Sequence, residues 1–185
     1  MRVLRVLALD LSLTATGWAT SEMQPLTGRV CGVLETAKLR GVERLAHVRQ
    51  WLQRRIEKER FDVAVLEGYA YGMRRGASQQ HSLGELGGVV RLTLWYQNVP
   101  FVEVPPAVLK KFACGKGNAN KAEVLVAAVK RLEYTGADHN EADALWLRTM
   151  ALDHYDELVE PVVPKAHREV LAKVKWPELE RRAVA

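Results

Sequence analysis

Three acidic residues could form one chemical site, and two of them directly follow apolar strands, where an acid is costly. Asp10 closes the apolar run VLAL, and Glu67 closes the apolar run FDVAVL. A buried carboxylate is destabilising unless it is paired, hydrogen-bonded or bound to a metal, so we expect both acids to have such a partner. Asp143, in DHNEADALWL, lies in the first turns of a predicted helix, on the same face as Asn140 three residues earlier.

Three carboxylates near one point predict a divalent metal site. Like charges at close range raise one another's pKa values unless a cation neutralises them. For ligands that are all oxygen atoms the expected ions are Mg²⁺ or Mn²⁺, about 4 Å apart if there are two. Such ions activate water and stabilise the leaving oxygen in phosphodiester hydrolysis, which predicts a nuclease-like chemistry.

Each acid also has an ordinary structural interpretation. Asp10 can begin an Asx turn, Glu67 can be a surface residue at a strand end, and Asp143 can be favoured by the helix macrodipole. In that interpretation Asn140 caps the helix. Short motifs match by chance often enough that each acid alone is open to either interpretation. Together they favour the metal site, because two of the three interrupt apolar strands.

Composition sets wide limits on the class of protein. The chain has 185 residues, of which 48% are hydrophobic and 26% are charged, as expected for one globular domain. No run approaches the roughly 20 apolar residues that span a bilayer, and the N-terminus lacks a secretory pattern, so we expect an intracellular protein with no membrane partner. Cys31 and Cys114 have neither CxxC spacing nor a His at zinc-ligand spacing.

The net charge of +5 favours a polyanionic partner. Basic and acidic residues interleave over residues 38–60, which is typical of a solvated helix face. Two other basic clusters contain almost no acids and lie in loop-like sequence, where binding groups concentrate. They are Arg74 with Arg75, and Lys110, Lys111, Lys116 and Lys121.

Periodicity predicts strands that alternate with helices. The first strand and its successor form a hairpin through a turn of small residues, and residues 28–34 add a third strand. Further strands are predicted over 61–66 and 101–104. Helices are predicted over 41–59, 78–97, 105–112, 121–132 and 140–154. The apolar face of the first helix is predicted to carry Val42, Leu45, Val48, Leu52 and Ile56.

This order predicts an α/β fold, with a mixed five-stranded sheet of three antiparallel strands followed by parallel strands and helices on both faces. Residues 1–154 form the predicted domain. Residues 155–185 form a charged tail punctuated by prolines, in which residues 167–174 are predicted to be one short amphipathic helix.

Five motifs, in this order and spacing, resemble the RuvC family of Holliday junction resolvases, within the ribonuclease H-like superfamily. They are ALDLSLTATGWA, VLEGYAY, LGELGGVV, VPPAVLKKFACGKGNANKAEV and NEADALWL. The similarity runs from about residue 3 to residue 154. Its most specific part is the block over residues 110–121, in which a Lys precedes Gly115 and Gly117 and Lys121 follows them.

The resemblance implies a ribonuclease H-like nuclease that binds branched DNA as a homodimer and makes paired nicks in four-way junctions. It implies Asp10, Glu67 and Asp143 as catalytic residues and as ligands of two Mg²⁺ ions per site, for which Mn²⁺ can substitute. It also implies that Lys110 and Lys121 lie near the DNA backbone. The expected location is the cytoplasm of a bacterial or phage-infected cell.

The chain departs from the family pattern at Asn140, because the family commonly has Asp or His three residues before its last Asp. An amide oxygen can bind a metal, but it brings no charge and cannot act as a base. Asn140 is retained as the expected fourth ligand and His139 is the main substitute. Asp138 and Glu141 are further alternatives, and Glu141 fits worst because it lies about 200° round the helix from Asp143.

The loop after Glu67 is slightly longer than in bacterial members. The resemblance implies an aromatic side chain there that stacks on a base near the junction centre, which Tyr69 or Tyr71 could provide. Either could instead be a core aromatic. The basic residues expected beside them on the DNA are Arg74, Arg75 and Lys116.

The predicted helix over 78–97 contains three glycines, Gly84, Gly87 and Gly88. A helical Gly costs up to about 1 kcal/mol relative to Ala, so three of them indicate close backbone approach, to the sheet or to a partner helix. The resemblance favours the partner helix and hence a dimer interface.

Two other classes of function remain open. An actin-like phosphotransferase also begins with a strand, an Asp and a phosphate-holding turn such as DLSLTATG, but that fold needs two such halves and this chain is too short. A non-catalytic junction-binding protein is the second alternative, because the missing fourth acid could have cost the site its metal.

Overall fold

Five short strands form one mixed sheet in the order β3-β2-β1-β4-β5. The computed structural model describes residues 4–21, 30–68, 77–158 and 160–179. The strands are β1 Val6–Asp10, β2 Ala15–Thr20, β3 Cys31–Glu35, β4 Val63–Glu67 and β5 Phe101–Val104. The first three are antiparallel neighbours, whereas β4 pairs parallel with both β1 and β5. The predicted fold class is confirmed.

The sheet separates two hydrophobic cores because successive side chains of a strand point to opposite faces. Val6 and Ala8 of β1 lie in one core, and Leu7 and Leu9 lie in the other. All five residues of β1 are buried, as the apolar run VLAL predicts for a strand covered on both sides. Asp10 has the same parity as Val6 and Ala8, which places its side chain on the first of these faces.

Helices cover both faces of the sheet. Their bounds are α1 Gly41–Glu59, α2 Ala77–Tyr96, α3 Pro106–Cys114, α4 Lys121–Arg131 and α5 His139–His154. The core that contains Val6 and Ala8 is filled by α3, α4 and α5, and the opposite core by α1 and α2. These bounds agree with the predicted ones to within a few residues.

One predicted core residue was wrong. Val42 is 79% exposed, although its spacing from Leu45 places it on the apolar stripe of α1. The inward side of this turn is occupied instead by Arg44, whose guanidinium donates to the carbonyl of Leu39 at 2.6 Å. Residues two apart on a helix lie about 200° apart, so burying Arg44 turns Val42 outward.

The described part of the C-terminal tail packs against the sheet-and-helix body. It contains the four-residue helix α6, Lys165–Arg168, and a 3₁₀ helix over Glu169–Lys173. Val163, Val170 and Val174 are buried in the same core as α3 and α5. The division into a domain over 1–154 and a tail over 155–185 stays a prediction.

Within the described residues, no helix is both long enough and apolar enough to cross a membrane. Cys31 and Cys114 are both free thiols.

Candidate active site

Asp10 and Glu67 lie side by side at the carboxyl ends of two neighbouring parallel strands. In the β1–β4 ladder Leu9 is opposite Leu66, so the next residue on each strand is one of the two acids. Both side chains have the parity of the residues that face α5. Asp10 is only 6% exposed. The register therefore brings together two acids that are 57 positions apart in sequence.

The third acid reaches them because the first turn of α5 sits directly on β2. Asp10 is opposite Gly17 in the β1–β2 ladder. A Cβ atom added to Gly17 would lie 2.0 Å from the backbone oxygen of Asn140, so only glycine allows this approach. The Asn140 side chain amide also donates to the Ala15 carbonyl at 2.8 Å. Asp143 follows Asn140 by about one helical turn.

Two of these acids are buried close to another negative charge, which raises their pKa values. Burial, and then the negative charge of Asp10, raise the pKa of Asp143 to about 7. The pKa of Glu67 is also raised, mainly by burial and in part by the charge of Asp143. A hydrogen bond between Glu67 and Asp10 acts in the opposite direction. Both acids would be ionised more readily beside a cation.

Among residues 4–21, 30–68, 77–158 and 160–179, no group of three or more His, Cys, Asp or Glu side chains is arranged so that it could hold a metal ion. This is compatible with a Mg²⁺ site, because Mg²⁺ is commonly held by one or two carboxylates together with water and substrate phosphate. The donors are all oxygen atoms, two of them carry raised pKa values, and their mutual repulsion is relieved by a divalent cation. The residues present therefore fit such ions.

The other polar residues at the start of α5 have separate roles. Asp138 is the N-cap and accepts hydrogen bonds from the backbone N–H groups of Asn140 and Glu141. The Glu141 carboxylate accepts from the Tyr134 hydroxyl at 2.7 Å and from the Cys31 thiol, on the side towards β3. The Glu141 carboxylate is thus engaged on the side towards β3, whereas both capping bonds of Asp138 go to a single oxygen, Oδ1.

His139 remains beside Asn140 as a candidate ligand. Its Nδ1 atom is buried and has no hydrogen-bond partner among the described residues. Asn140 has committed its amide nitrogen to Ala15, which leaves its side chain oxygen as the atom that could face an ion.

Two lysines lie within electrostatic reach of the acids. Lys110 is on α3 and Lys121 is the first residue of α4. The positive charge of each lowers the pKa of both Glu67 and Asp143, against the larger effect of burial. The structure thus brings these two predicted DNA-binding residues to the edge of the acidic cluster.

Lys116 is already paired with an acid. Its ammonium group forms an ion pair with Glu123, the third residue of α4. Glu123 also completes a capping box with Asn120, in which each side chain accepts from the other residue's backbone N–H at 2.9 and 2.8 Å. The capping role of Glu123 was not predicted from sequence, although the spacing N-x-x-E before an apolar run resembles a capping box.

Four predicted DNA-binding residues lie outside the described residues. They are Tyr69, Tyr71, Arg74 and Arg75.

Gly17 was not predicted from sequence as the residue against which the start of α5 packs. The only signal was a turn of small residues, which does not say what packs against it. A second missed residue is His167, whose ring lies against Gly115 at the end of α3.

The chain is similar to known proteins over most of its length. A sequence model of the family described as "Crossover junction endodeoxyribonuclease RuvC" matches residues 6–154. The protein of that name from Parasynechococcus marenigrum is 30% identical over 147 residues, which cover 77% of this chain and 94% of the relative.

Solved structures show the same fold. A Thermus thermophilus RuvC in complex with a Holliday junction substrate has a TM-score of 0.64 at 20% identity, covering 78% of this chain and 90% of that one. The yeast mitochondrial Holliday junction resolvase has a TM-score of 0.53 at 13% identity, covering 92% and 84% respectively.

Proposed function

Because the chain belongs to the RuvC family of crossover junction endodeoxyribonucleases, we propose that it resolves four-way DNA junctions by paired, metal-dependent hydrolysis of phosphodiester bonds. The observation that carries this proposal is the convergence of Asp10, Glu67 and Asp143 at one sheet edge, with Lys110 and Lys121 beside them. Buried acids supply metal ligands and the lysines supply contacts to phosphate, which together are the parts a nuclease needs.

Asp10, Glu67 and Asp143 are the residues that would hold the metal, which we propose to be two Mg²⁺ ions per site, with Mn²⁺ able to substitute. When bound, such ions activate water and stabilise the leaving oxygen of the phosphodiester. The chain's own contribution is to keep the three carboxylates buried and close together. Burial strengthens their attraction for a cation, because fewer water molecules compete.

Asn140 is proposed as the fourth ligand, through its side chain oxygen. The hydrogen bond to Ala15 fixes the amide and so orients that oxygen. His139 is the alternative ligand, since its buried Nδ1 has no partner among the described residues. In either case the site has three carboxylates and no fourth, so it binds the metal with less negative charge than a family member that has Asp at this position.

DNA binding is proposed to depend on the lysines around the acidic cluster. Lys110 and Lys121 neutralise backbone phosphates next to the scissile bond, and the proposed contact from Lys116 requires it to leave Glu123. Arg74 and Arg75 extend the same positive path. Tyr71 or Tyr69 is proposed to stack on a base at the junction centre.

The proposed dimer forms through α2. One side of this helix is buried, whereas the other carries exposed apolar side chains, Leu92 at 53%, Trp95 at 66% and Tyr96 at 66%. Gly84 and Gly88 lie on the same outer side, and a Cβ atom on either would have no neighbour within 4 Å. Gly87, which was predicted with them, is buried on the inner side of α2, so its place in the interface was wrongly predicted. A flat face of this kind lets a second α2 approach closely around a twofold axis. Two active sites related by that axis would nick the junction symmetrically.

We propose that the protein acts on DNA in the cytoplasm. The nuclease domain is proposed to span residues 1–154, which closely matches the family similarity over 6–154. Residues 155–185 are proposed to be a C-terminal tail of this domain.

A non-catalytic junction-binding protein is the second candidate, because Asn140 stands where the family commonly has Asp or His and its amide donates to Ala15 of β2. Cleavage assays separate the two candidates. Purified protein is incubated with a four-way junction and with linear duplex of the same sequence, in Mg²⁺. We expect paired nicks at symmetric positions of the junction and an intact duplex. Junction binding without nicks would favour the second candidate, and equal cleavage of both DNAs would overturn the proposal.

A further inference from the structure

Residues 160–179 lie beyond residue 154, where the match to the family's sequence model ends, and they pack against the end of α3. Val170 and Leu171 are buried in the core that also contains Leu109 and Phe112 of α3. The segment is therefore part of the packing around the helix that carries Lys110.

Polar and aromatic contacts fix this segment in place. The Arg168 guanidinium donates to both oxygens of Asp153 through Nε, at 2.9 and 2.8 Å. Trp176 stacks on His154 with ring centroids 4.6 Å apart and an interplanar angle of 15°. The Tyr155 hydroxyl donates to the Pro177 carbonyl at 2.8 Å. Segment 160–179 is thus tied to the end of α5 at three points.

His167 lies between this anchored segment and the last turn of α3. Its Nδ1 atom is 3.0 Å from the Phe112 carbonyl oxygen. A carbonyl can only accept, so Nδ1 carries the hydrogen. The last four carbonyls of a helix have no partner within it, and His167 supplies one from 55 residues further along the chain.

The His167 ring also covers Gly115, where α3 ends. Gly115 has φ 81°, in the left-handed region, and a Cβ atom added to it would lie 2.6 Å from Nε2 of His167. Gly115 begins the loop that carries Lys116 and Gly117 and leads to Lys121. His167 therefore packs against the residue at which this loop leaves α3.

We propose that His167 is a positioning residue for DNA binding, which caps α3 and holds the loop over 115–120 in the conformation that presents Lys110 and Lys121 to the DNA backbone. The inference rests on the proposed function for the DNA path. It adds a role for a segment that lies outside the residues matched by the family's sequence model.

The test compares His167→Leu, which fills the space without a donor, with His167→Asn, whose amide N–H can replace Nδ1–H. The matched control is Ile56→Val, which removes a methylene from the core on the other face of the sheet. Hydrogen exchange of the amides over 113–120 is measured in the full-length protein without DNA. Dissociation constants for a four-way junction and for linear duplex are measured in EDTA, and cleavage of the junction at saturation is measured in Mg²⁺.

We expect His167→Leu to speed exchange over 113–120 and to raise both dissociation constants by roughly fivefold, the scale of one lost helix cap. Cleavage at saturating protein should stay within about twofold of the wild-type rate, because the carboxylates are untouched. His167→Asn should restore most of the affinity. Ile56→Val should lower the melting temperature without changing either dissociation constant.

Unchanged exchange over 113–120 in His167→Leu would overturn the capping role. Faster exchange with unchanged affinity for both DNAs would overturn the positioning role. The duplex measurement keeps this test independent of junction selectivity, because contacts to the backbone act on any DNA. A wild-type protein that binds junction and duplex equally would contradict the proposed function, and the exchange and duplex affinities would still decide the role of His167.

Discussion

Asp143 is held at a position that is unfavourable for a carboxylate in the absence of metal. Burial and the nearby charge of Asp10 raise its pKa to about 7, well above the value of about 4 expected in the unfolded chain. The folded state therefore binds the proton more tightly than the unfolded chain does, so the protonated Asp143 costs no stability at acidic pH. The free energy of unfolding then falls progressively as the pH rises from about 4 to about 7.

We predict that Asp143→Asn raises the melting temperature of the protein in EDTA at pH 8 and leaves it nearly unchanged at pH 4, because Asn carries no charge at either pH. Adding Mg²⁺ at pH 8 should stabilise the wild type more than the variant. Thermal unfolding at the two pH values measures both effects. The control is Asp153→Asn, which should lower the melting temperature because Asp153 is paired with Arg168. A variant less stable than wild type at pH 8 in EDTA would show that Asp143 is not held at an energetic cost.

If Lys116 lies on the proposed DNA path, Glu123 would compete with phosphate for it. The two form an exposed ion pair, whereas the capping box with Asn120 needs only an acceptor at residue 123. We predict that Glu123→Gln keeps the cap, frees Lys116 and tightens DNA binding at low salt. The dependence of log affinity on log salt should steepen by about one phosphate contact. Titrations at several salt concentrations measure this slope.

Adding Lys116→Ala to Glu123→Gln should cancel the gain in affinity. A slope unchanged by Glu123→Gln would exclude Lys116 from the DNA path.

At the scale of elements, the position of α5 over β2 depends on the absence of a side chain at Gly17. A Cβ atom there would meet the Asn140 backbone, which cannot move aside as a flexible side chain can. We predict that Gly17→Ala costs about 1–3 kcal/mol and raises the Mg²⁺ concentration that gives half-maximal cleavage, since α5 must shift with Asp143 on it. Chemical denaturation and a metal titration measure the two effects.

The control for this variant is Gly32→Ala on the neighbouring strand. A Cβ atom at Gly32 would meet the Trp18 ring, on the face away from α5. That variant should lose stability without changing the metal dependence. Equal changes in metal dependence for both variants would indicate that strain anywhere in the sheet disturbs the site.

Elements whose hydrophobic pattern is regular were predictable from sequence. The bounds predicted for α1 and β5 are those observed, because an apolar stripe and a short apolar run bounded by turns each favour one structure. The start of α5 was predicted one residue late. Asp138 and Asn140 are both good caps, and only the structure shows that the Asp138 side chain makes the capping bonds.

Within the site, the three acids were recognisable because each stands at a predictable place on a strand or helix. The contacts that set their geometry were not. Asn140 binds Ala15 across 125 residues and His167 binds Phe112 across 55 residues. Such pairings depend on the packing of whole elements, which local propensity and periodicity do not specify.

At the scale of the whole molecule, symmetric cleavage needs two active sites in a fixed relation. We predict that Gly88→Leu gives a monomer that binds four-way junctions poorly, because a large side chain keeps two α2 helices apart. Analytical ultracentrifugation at micromolar concentration measures the association. Val42→Ala is the control, since Val42 is exposed on α1 and its loss should leave a dimer. A wild-type monomer under the same conditions would contradict paired cleavage by one dimer.

Asp10, Glu67 and Asp143 are proposed to form the site that cuts junctions. The most direct measurement maps nicks on a four-way junction in Mg²⁺ for the wild type, Asp10→Asn, Glu67→Gln and Asp143→Asn, with junction affinity measured separately in EDTA. Glu141→Gln is the matched control, because Glu141 is an acid of the same helix that faces Tyr134.

We predict paired, symmetric nicks by the wild type and by Glu141→Gln. Each of the other three variants should cleave at least about 100-fold more slowly, the scale seen when one electrostatic stabiliser of a transition state is removed. Their affinity for the junction should stay near the wild-type value, because it depends mainly on basic contacts to phosphates. Near-normal cleavage by any two of these three variants would contradict the assignment of the site.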